Sequence, residues 1–324
     1  MPVIKKSTYP GAPRRLFNGH LQTILPSLQD KKGTLPYERQ RFTLSDGDFV
    51  DLDWLKGGNK KCALLIHGLE GGSQRKYLRK MASHLHAKGW DILAWNARSC
   101  SGEMNKAFRL YEHGEIGDLT EVIQDVNAKG DYEQMILVGF SMGGSIVINY
   151  LSRMADSLPK MVTHGVAIST PCNLGECADQ LDKWDNYLYR NKFKRKLYKK
   201  VKHKAEQFPG RIDISKLSEV KCWRDFDEFF SAPVNGYKDA EDFYKKASAG
   251  NHVAGVKVPT LLINAKNDPF LTPSCSPFEI AQNHPNFYLE VTENGGHVGF
   301  PDRDKKTYWL GQRVEDFIFS TKKC

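Results

Sequence analysis

In ILVGFSMGGSIVIN, residues 136–149, Ser141 stands between Gly139 and Gly143 where an apolar run changes from strand-like to helical spacing. A serine hydroxyl attacks a carbonyl only when a base takes its proton, and it must stand clear of the sheet so that base and carbonyl both reach it. A sharp strand–turn–helix elbow gives that exposure. It also crowds the backbone two residues to either side, where glycine avoids a Cβ clash. The chemistry implied is acyl transfer. The pattern also occurs in ordinary glycine turns, so the partners of Ser141 decide.

An elbow serine needs a carboxylate and then a histidine further along the chain. After the apolar run TLLINA (260–265) comes KNDPF, with Asp268; after FYLEV (287–291) comes TENGGHVGF, with His297 flanked by glycines. The order Ser141, Asp268, His297 predicts nucleophile, acid and base, each at the carboxyl end of its own strand. The other histidines, such as His20, His84, His113 and His164, read as surface or hydrogen-bonded residues. Asp302 and Asp304 follow His297 and break the order. Two backbone N–H groups are expected to hold the oxyanion: Met142, directly after the nucleophile, and Leu69 in the glycine-rich loop HGLEGG, 67–72.

The elements that must carry these residues alternate. A hairpin spans 40–55, turned by Asp46-Gly47-Asp48. Strands are predicted at 62–67, 91–96, 134–139, 165–170, 260–265 and 287–291, with helices near 76–88, 116–128, 276–283 and 307–320. Fully apolar strands alternating with helices predict an α/β fold, a mostly parallel sheet covered on both faces. The alternation stops between 172 and 252, a stretch rich in Tyr, Phe, Trp and charge. The expected organisation is a core in two parts, 1–171 and 253–324, interrupted by a helical lid insertion, 172–252, at the edge where ligands bind. Tyr187, Phe226, Phe229 and Phe230 are candidates to line an acyl site there.

Net charge is +9, and Arg190–Lys204 alone holds nine Lys or Arg and no acid, which equals the whole excess. Phe193, Leu197, Val201 and Ala205 recur every fourth residue, so this is an amphipathic helix with an apolar stripe and a basic remainder. Its basic side is read as a solvated face, with peripheral contact to an anionic membrane as the alternative. No binding motif accompanies the charge, so nucleic acid is not an expected partner. Seven cysteines at scattered positions, Cys62, Cys100, Cys172, Cys177, Cys222, Cys275 and Cys324, read as reduced thiols, with no metal and no cofactor expected. No run approaches 18 apolar residues and the first residues hold no signal-peptide core, so a cytoplasmic protein without a transmembrane segment is expected.

Beyond these residues the chain resembles the YheT-like branch of the α/β-hydrolases, which includes bacterial esterase-like proteins, eukaryotic membrane-anchored phospholipases and fungal medium-chain ester synthase/esterases. The resemblance rests on NGHLQTI (18–24), HGLEG (67–71), NARSCSGEMN (96–105), GFSMGG (139–144) and GGHVGF (295–300). It implies the same nucleophile, acid and base, and a small-molecule or lipid acyl ester as substrate. The family's arginine-glycine after the fourth strand reads Arg98-Ser99 here. The reading is a serine carboxylesterase; the alternatives are an acyltransferase that passes the acyl group to an alcohol, and a catalytically silent ligand-binding fold. NGHLQTI has no role that physics alone assigns.

Overall fold

The computed structural model describes residues 3–28, 33–304 and 307–321, so Cys324 lies outside the described residues. Eight strands form one sheet in the order β1-β2-β4-β3-β5-β6-β7-β8. They are β1 (Glu38–Thr43), β2 (Phe49–Leu55), β3 (Lys61–Ile66), β4 (Asp91–Asn96), β5 (Gln134–Phe140), β6 (Val162–Ile168), β7 (Thr260–Ala265) and β8 (Phe287–Thr292). β1 and β2 run antiparallel to their neighbours and the remaining pairs are parallel.

Strand period divides the core in two. Cys62, Leu64 and Ile66 of β3 join one buried cluster, while Ala63 and Leu65 join the other. Helices α3 (Gly117–Lys129) and α4 (Met142–Arg153) cover the first face; α2 (Lys76–Ala87) and α11 (Trp309–Ser320) cover the second. Each fully buried Leu or Ile contributes about 1.5–3 kcal/mol. Leu310, Val314, Phe317 and Ile318 of α11 share the inward face, as their spacing predicts. At the exposed edge, Arg39 and Arg41 of β1 stand directly opposite Asp53 and Asp51 of β2 and pair with them at 2.7 and 2.9 Å, which sets the hairpin register.

β6 is displaced from its expected span. It begins at Val162, where Met135 and Ile136 of β5 face Val162 and His164 and leave Thr163 as an extra residue in β6, and it stops before Ser169, whose φ of 52° cannot continue a strand. Helix α1 (Gly19–Leu28) was not evident in the sequence; the Asn18 side chain caps it, accepting the Leu21 N–H at 2.9 Å.

Between β6 and β7 lie α5 (Leu174–Leu181), α6 (Tyr187–Gln207), α7 (Trp223–Phe226), a π-helical turn (Asp227–Ser231), α8 (Ala232–Val234) and α9 (Ala240–Ala247); α10 (Phe278–Asn283) follows β7. They enclose their own apolar cluster, including Leu181, Leu197, Val201, Trp223, Phe226 and Phe243. β6 and β7 pair directly beneath, and where the segment leaves and returns, the Gly250 N–H donates to the Cys172 carbonyl at 2.9 Å. The stripe of α6 faces inward as expected, but its basic side is not all solvated. Lys200 and Lys204 are buried, because the core offers acceptors: Lys200 Nζ lies 2.6 Å from Glu70 Oε1, and Lys204 Nζ donates to the carbonyls of Asn105 and Ala107, both at 2.6 Å. Lys192, Arg195, Lys199 and Lys202 remain exposed.

Candidate active site

Ser141 sits between β5 and α4 with φ 56° and ψ −122°, a strained conformation for a residue with a side chain. The turn is held by the Ser141 N–H on the Ile168 carbonyl at 2.8 Å and the Gly144 N–H on the Ser141 carbonyl at 2.8 Å. The flanking glycines are obligatory: a Cβ on Gly139 would lie 2.1 Å from the Gly143 carbonyl oxygen, and one on Gly143 would lie 2.3 Å from that of Ile66.

The two loops expected to supply its partners converge on it. His297 Nε2 lies 2.9 Å from Ser141 Oγ, and His297 Nδ1 lies 2.8 Å from Asp268 Oδ2. A carboxylate only accepts, so Nδ1 carries the proton and Nε2 is the acceptor for the serine hydroxyl. The Asp268 side chain is fully buried, and its other oxygen accepts the Phe270 N–H at 2.9 Å. Phe270 covers the imidazole at 4.4 Å between ring centroids.

The HGLEGG loop packs against the same serine. A Cβ on Gly68 would stand 2.9 Å from Ser141 Cβ, so only glycine allows this approach. A turn closed by the Gly71 N–H on the Gly68 carbonyl (2.9 Å) places Leu69 and Glu70 at its corner, with Glu70 at φ 55°. That left-handed residue is over-determined. Its N–H donates to the Tyr111 hydroxyl at 2.9 Å, and its carboxylate accepts from Tyr111 (2.6 Å) and Lys200 (2.6 Å). Arg75 also donates to its carbonyl, at 2.6 Å. His67 braces the strand end: Nδ1 lies 2.7 Å from the Gly68 carbonyl and Nε2 accepts the Ala97 N–H at 3.1 Å. Burial pushes its pKa down to about 4, so it stays neutral and structural. Glu70, Tyr111 and Lys200 have no sequence signature that links them, since they lie 41 and 130 residues apart.

After β4, Arg98 is buried and forks onto Asp118 with two bonds of 2.7 Å, while Ser99 adopts φ 62°. This explains why the position suits glycine; here the serine hydroxyl donates to Asn105 Oδ1 at 2.6 Å.

The profile of the alpha/beta hydrolase fold matches residues 64–304. YheT of Escherichia coli, which bears an esterase name, is 32% identical over 94% of this chain and 91% of its own. The chain belongs to the α/β-hydrolases, in their YheT-like branch. The human phospholipase ABHD3 is 28% identical over 92% of this chain and 75% of its own length. Among solved structures, the Pyrococcus furiosus esterase Pf2001 superposes with a TM-score of 0.58 over 88% of this chain and 92% of that one, at 20% identity, a likeness of fold.

In this α/β-hydrolase the elbow opens into a cavity of about 1110 Å³ whose floor holds Ser141, Met142, Leu69 and His297. Residues between β6 and β7 form part of its wall, Leu174, Leu181, Leu197, Trp223, Phe226 and Phe230 among them, and α1 with the loops after β3 and β8 forms another part. Two of the four expected aromatic residues therefore line it. Tyr187 does not, because it is half exposed on the outer side of α6, and Phe229 packs edge-on behind Phe230 at 6.4 Å between centroids.

Asp227 borders the same cavity and accepts the Tyr244 hydroxyl at 2.8 Å. Burial raises its pKa from 3.8 to about 6. The folded state thus holds this proton more tightly: stability from the group is full below about pH 4 and lost as pH rises through 6. The lost amount is on the order of 3 kcal/mol, from 1.36 kcal/mol per pKa unit. Asp227→Asn is expected to raise stability at pH 8 by about 1–3 kcal/mol and to change little at pH 4. Urea midpoints at the two pH values check this; an equal shift at both contradicts it.

Proposed function

We propose that this hydrolase is a serine carboxylesterase that cleaves acyl esters through an acyl-Ser141 intermediate. The observation that carries the proposal is the unbroken chain from Ser141 Oγ to His297 Nε2 (2.9 Å) and from His297 Nδ1 to Asp268 (2.8 Å) at the floor of an apolar cavity. His297 takes the hydroxyl proton as Ser141 attacks the carbonyl carbon. Asp268 keeps the ring in the correct tautomer and offsets the imidazolium charge. The N–H groups of Met142 and Leu69 hold the oxyanion, His297 returns the proton to the departing alcohol, and water releases the acid by the same steps in reverse. The apolar walls suit an aliphatic acyl chain, and the esterase and phospholipase names of the relatives agree with a small-molecule or lipid ester. Turnover of p-nitrophenyl esters of increasing chain length tests the proposal, with product analysis in added ethanol to separate hydrolysis from acyl transfer. A wild type that takes a fluorophosphonate at Ser141 yet turns over no ester contradicts it.

A membrane-surface role is supported by what is exposed along α6. Trp184 (89% exposed) stands just before the helix and Leu188 (72%) at its start, bordering the cavity, while Arg195, Lys199 and Lys202 are exposed further along it. Cations near an anionic leaflet contribute about 1 kcal/mol each, screened within a Debye length of about 8 Å. Hydrolysis of esters in anionic vesicles is therefore expected to fall as salt rises, and to fall again when Arg195, Lys199 and Lys202 become Gln. Hydrolysis of a soluble ester should not change. Equal rates on neutral and anionic vesicles would show that the charge is only a solvated face.

A further inference from the structure

The motif NGHLQTI gains a role from where α1 lies. Gln22 is buried and uses every bond its amide can make. Its Oε1 accepts the Gly295 N–H at 2.7 Å and Asn267 Nδ2 at 2.9 Å; its Nε2 donates to the Leu16 carbonyl at 2.7 Å and reaches Asn294 Oδ1 at 3.5 Å. Exchanging oxygen and nitrogen would set donor against donor at Gly295, so the amide orientation is fixed by its partners. Asn267 immediately precedes Asp268, and Gly295 lies two residues before His297. One side chain thus holds both loops. Its neighbour Thr23 accepts the His297 N–H itself at 2.9 Å while donating to the Gly19 carbonyl at 2.7 Å. Asn267 Oδ1 completes the frame by accepting the Gly296 N–H at 3.0 Å.

The contacts around this frame are backbone against backbone. A Cβ on Gly19 would lie 1.8 Å from the Asn267 carbonyl oxygen, and one on Gly299 would lie 2.0 Å from that of Gln22. A buried amide that served folding alone would be satisfied anywhere in the core. Here the bonds of Gln22 and Thr23 end on the residues that flank the acid and base.

We infer that Gln22 and Thr23 are positioning residues, a clamp that sets the separation of Asp268 and His297 and the approach of the imidazole to Ser141. The inference rests on the reading of these three as acid, base and nucleophile. Misplacing a reacting group by about 1 Å costs about 100-fold in rate. Thr23→Val keeps the shape and removes the acceptor; it is expected to lower kcat about 10- to 100-fold with KM within about twofold, and Thr23→Ser to restore most of it. Gln22→Met should act in the same direction, and Gln22→Glu, which keeps the acceptor oxygen, should recover part of the loss. Rates on a p-nitrophenyl ester are normalised to the sites a fluorophosphonate finally labels, so that unfolded molecules do not count. If Gln22→Met fails to fold, Thr23→Val and Thr23→Ser carry the test. A Thr23→Val enzyme with lowered thermal stability but wild-type kcat per labelled site overturns the clamp and leaves the triad standing. A wild type that is not labelled at Ser141 overturns the triad and the clamp with it.

Discussion

Ser141→Ala is expected to lower kcat for an activated ester by about 10⁶-fold, because the unit of nucleophile and base fails as a whole when either is removed. Labelling by a fluorophosphonate should vanish in the same variant, and the fold should persist. The hydroxyl makes its bond to His297 at 2.9 Å at the cavity floor, where the imidazole can turn to water. A second substitution sharpens the result. Ser141 holds φ 56°, which a Cβ resists and glycine does not. Ser141→Gly should be as inactive as Ser141→Ala but at least as stable, since the elbow's backbone strain serves the exposure of the hydroxyl. Labelling that persists in the alanine variant places the nucleophile elsewhere.

The second large effect is structural. Lys200 and Glu70 pair at 2.6 Å with about a tenth or less of each side chain exposed. Removing one member leaves a buried charge without its partner, which costs about 3–5 kcal/mol. Lys200→Met is expected to lose that much stability, whereas Lys200→Met with Glu70→Gln should recover most of it, since a neutral pair no longer needs the ammonium. Glu70 shapes the loop that carries Leu69, so the single variant should also lose activity per folded molecule. Urea unfolding of the two singles and the double closes a mutant cycle. A coupling below about 0.5 kcal/mol would mean that the pair is not closed in solution.

How much of this was legible in the sequence follows the range of the interactions. The elbow declares itself within about ten residues, because strand, glycines and helix are neighbours in the chain. Asp268 and His297 could be chosen because each follows an apolar run by a few residues, and chain order did the rest. The Gln22 contacts could not be read, since 273 residues separate Gln22 from Gly295. Lys200 and Lys204 misled the reading for a physical reason. A helical stripe assigns lysine to solvent, and only a folded partner surface reveals that Glu70 and two backbone carbonyls desolvate it favourably. Ser99 shows the same limit from the other side: its φ of 62° is a property of the turn.

The neck between Cys172 and Gly250 has a consequence for how such a protein diversifies. Because β6 and β7 are hydrogen-bonded to each other without help from the segment between them, that segment begins and ends at almost one point on the sheet. The chain crosses to the sheet at that one point, and side chains such as Lys200, Lys204 and Asn186 tie the segment to the core elsewhere. Ser141, Asp268 and His297 all lie on the sheet side of that neck. Substrate range and chemistry are thereby separable: a graft at the neck that kept a cationic donor for the Glu70 carboxylate would change what the cavity holds and leave the elbow untouched.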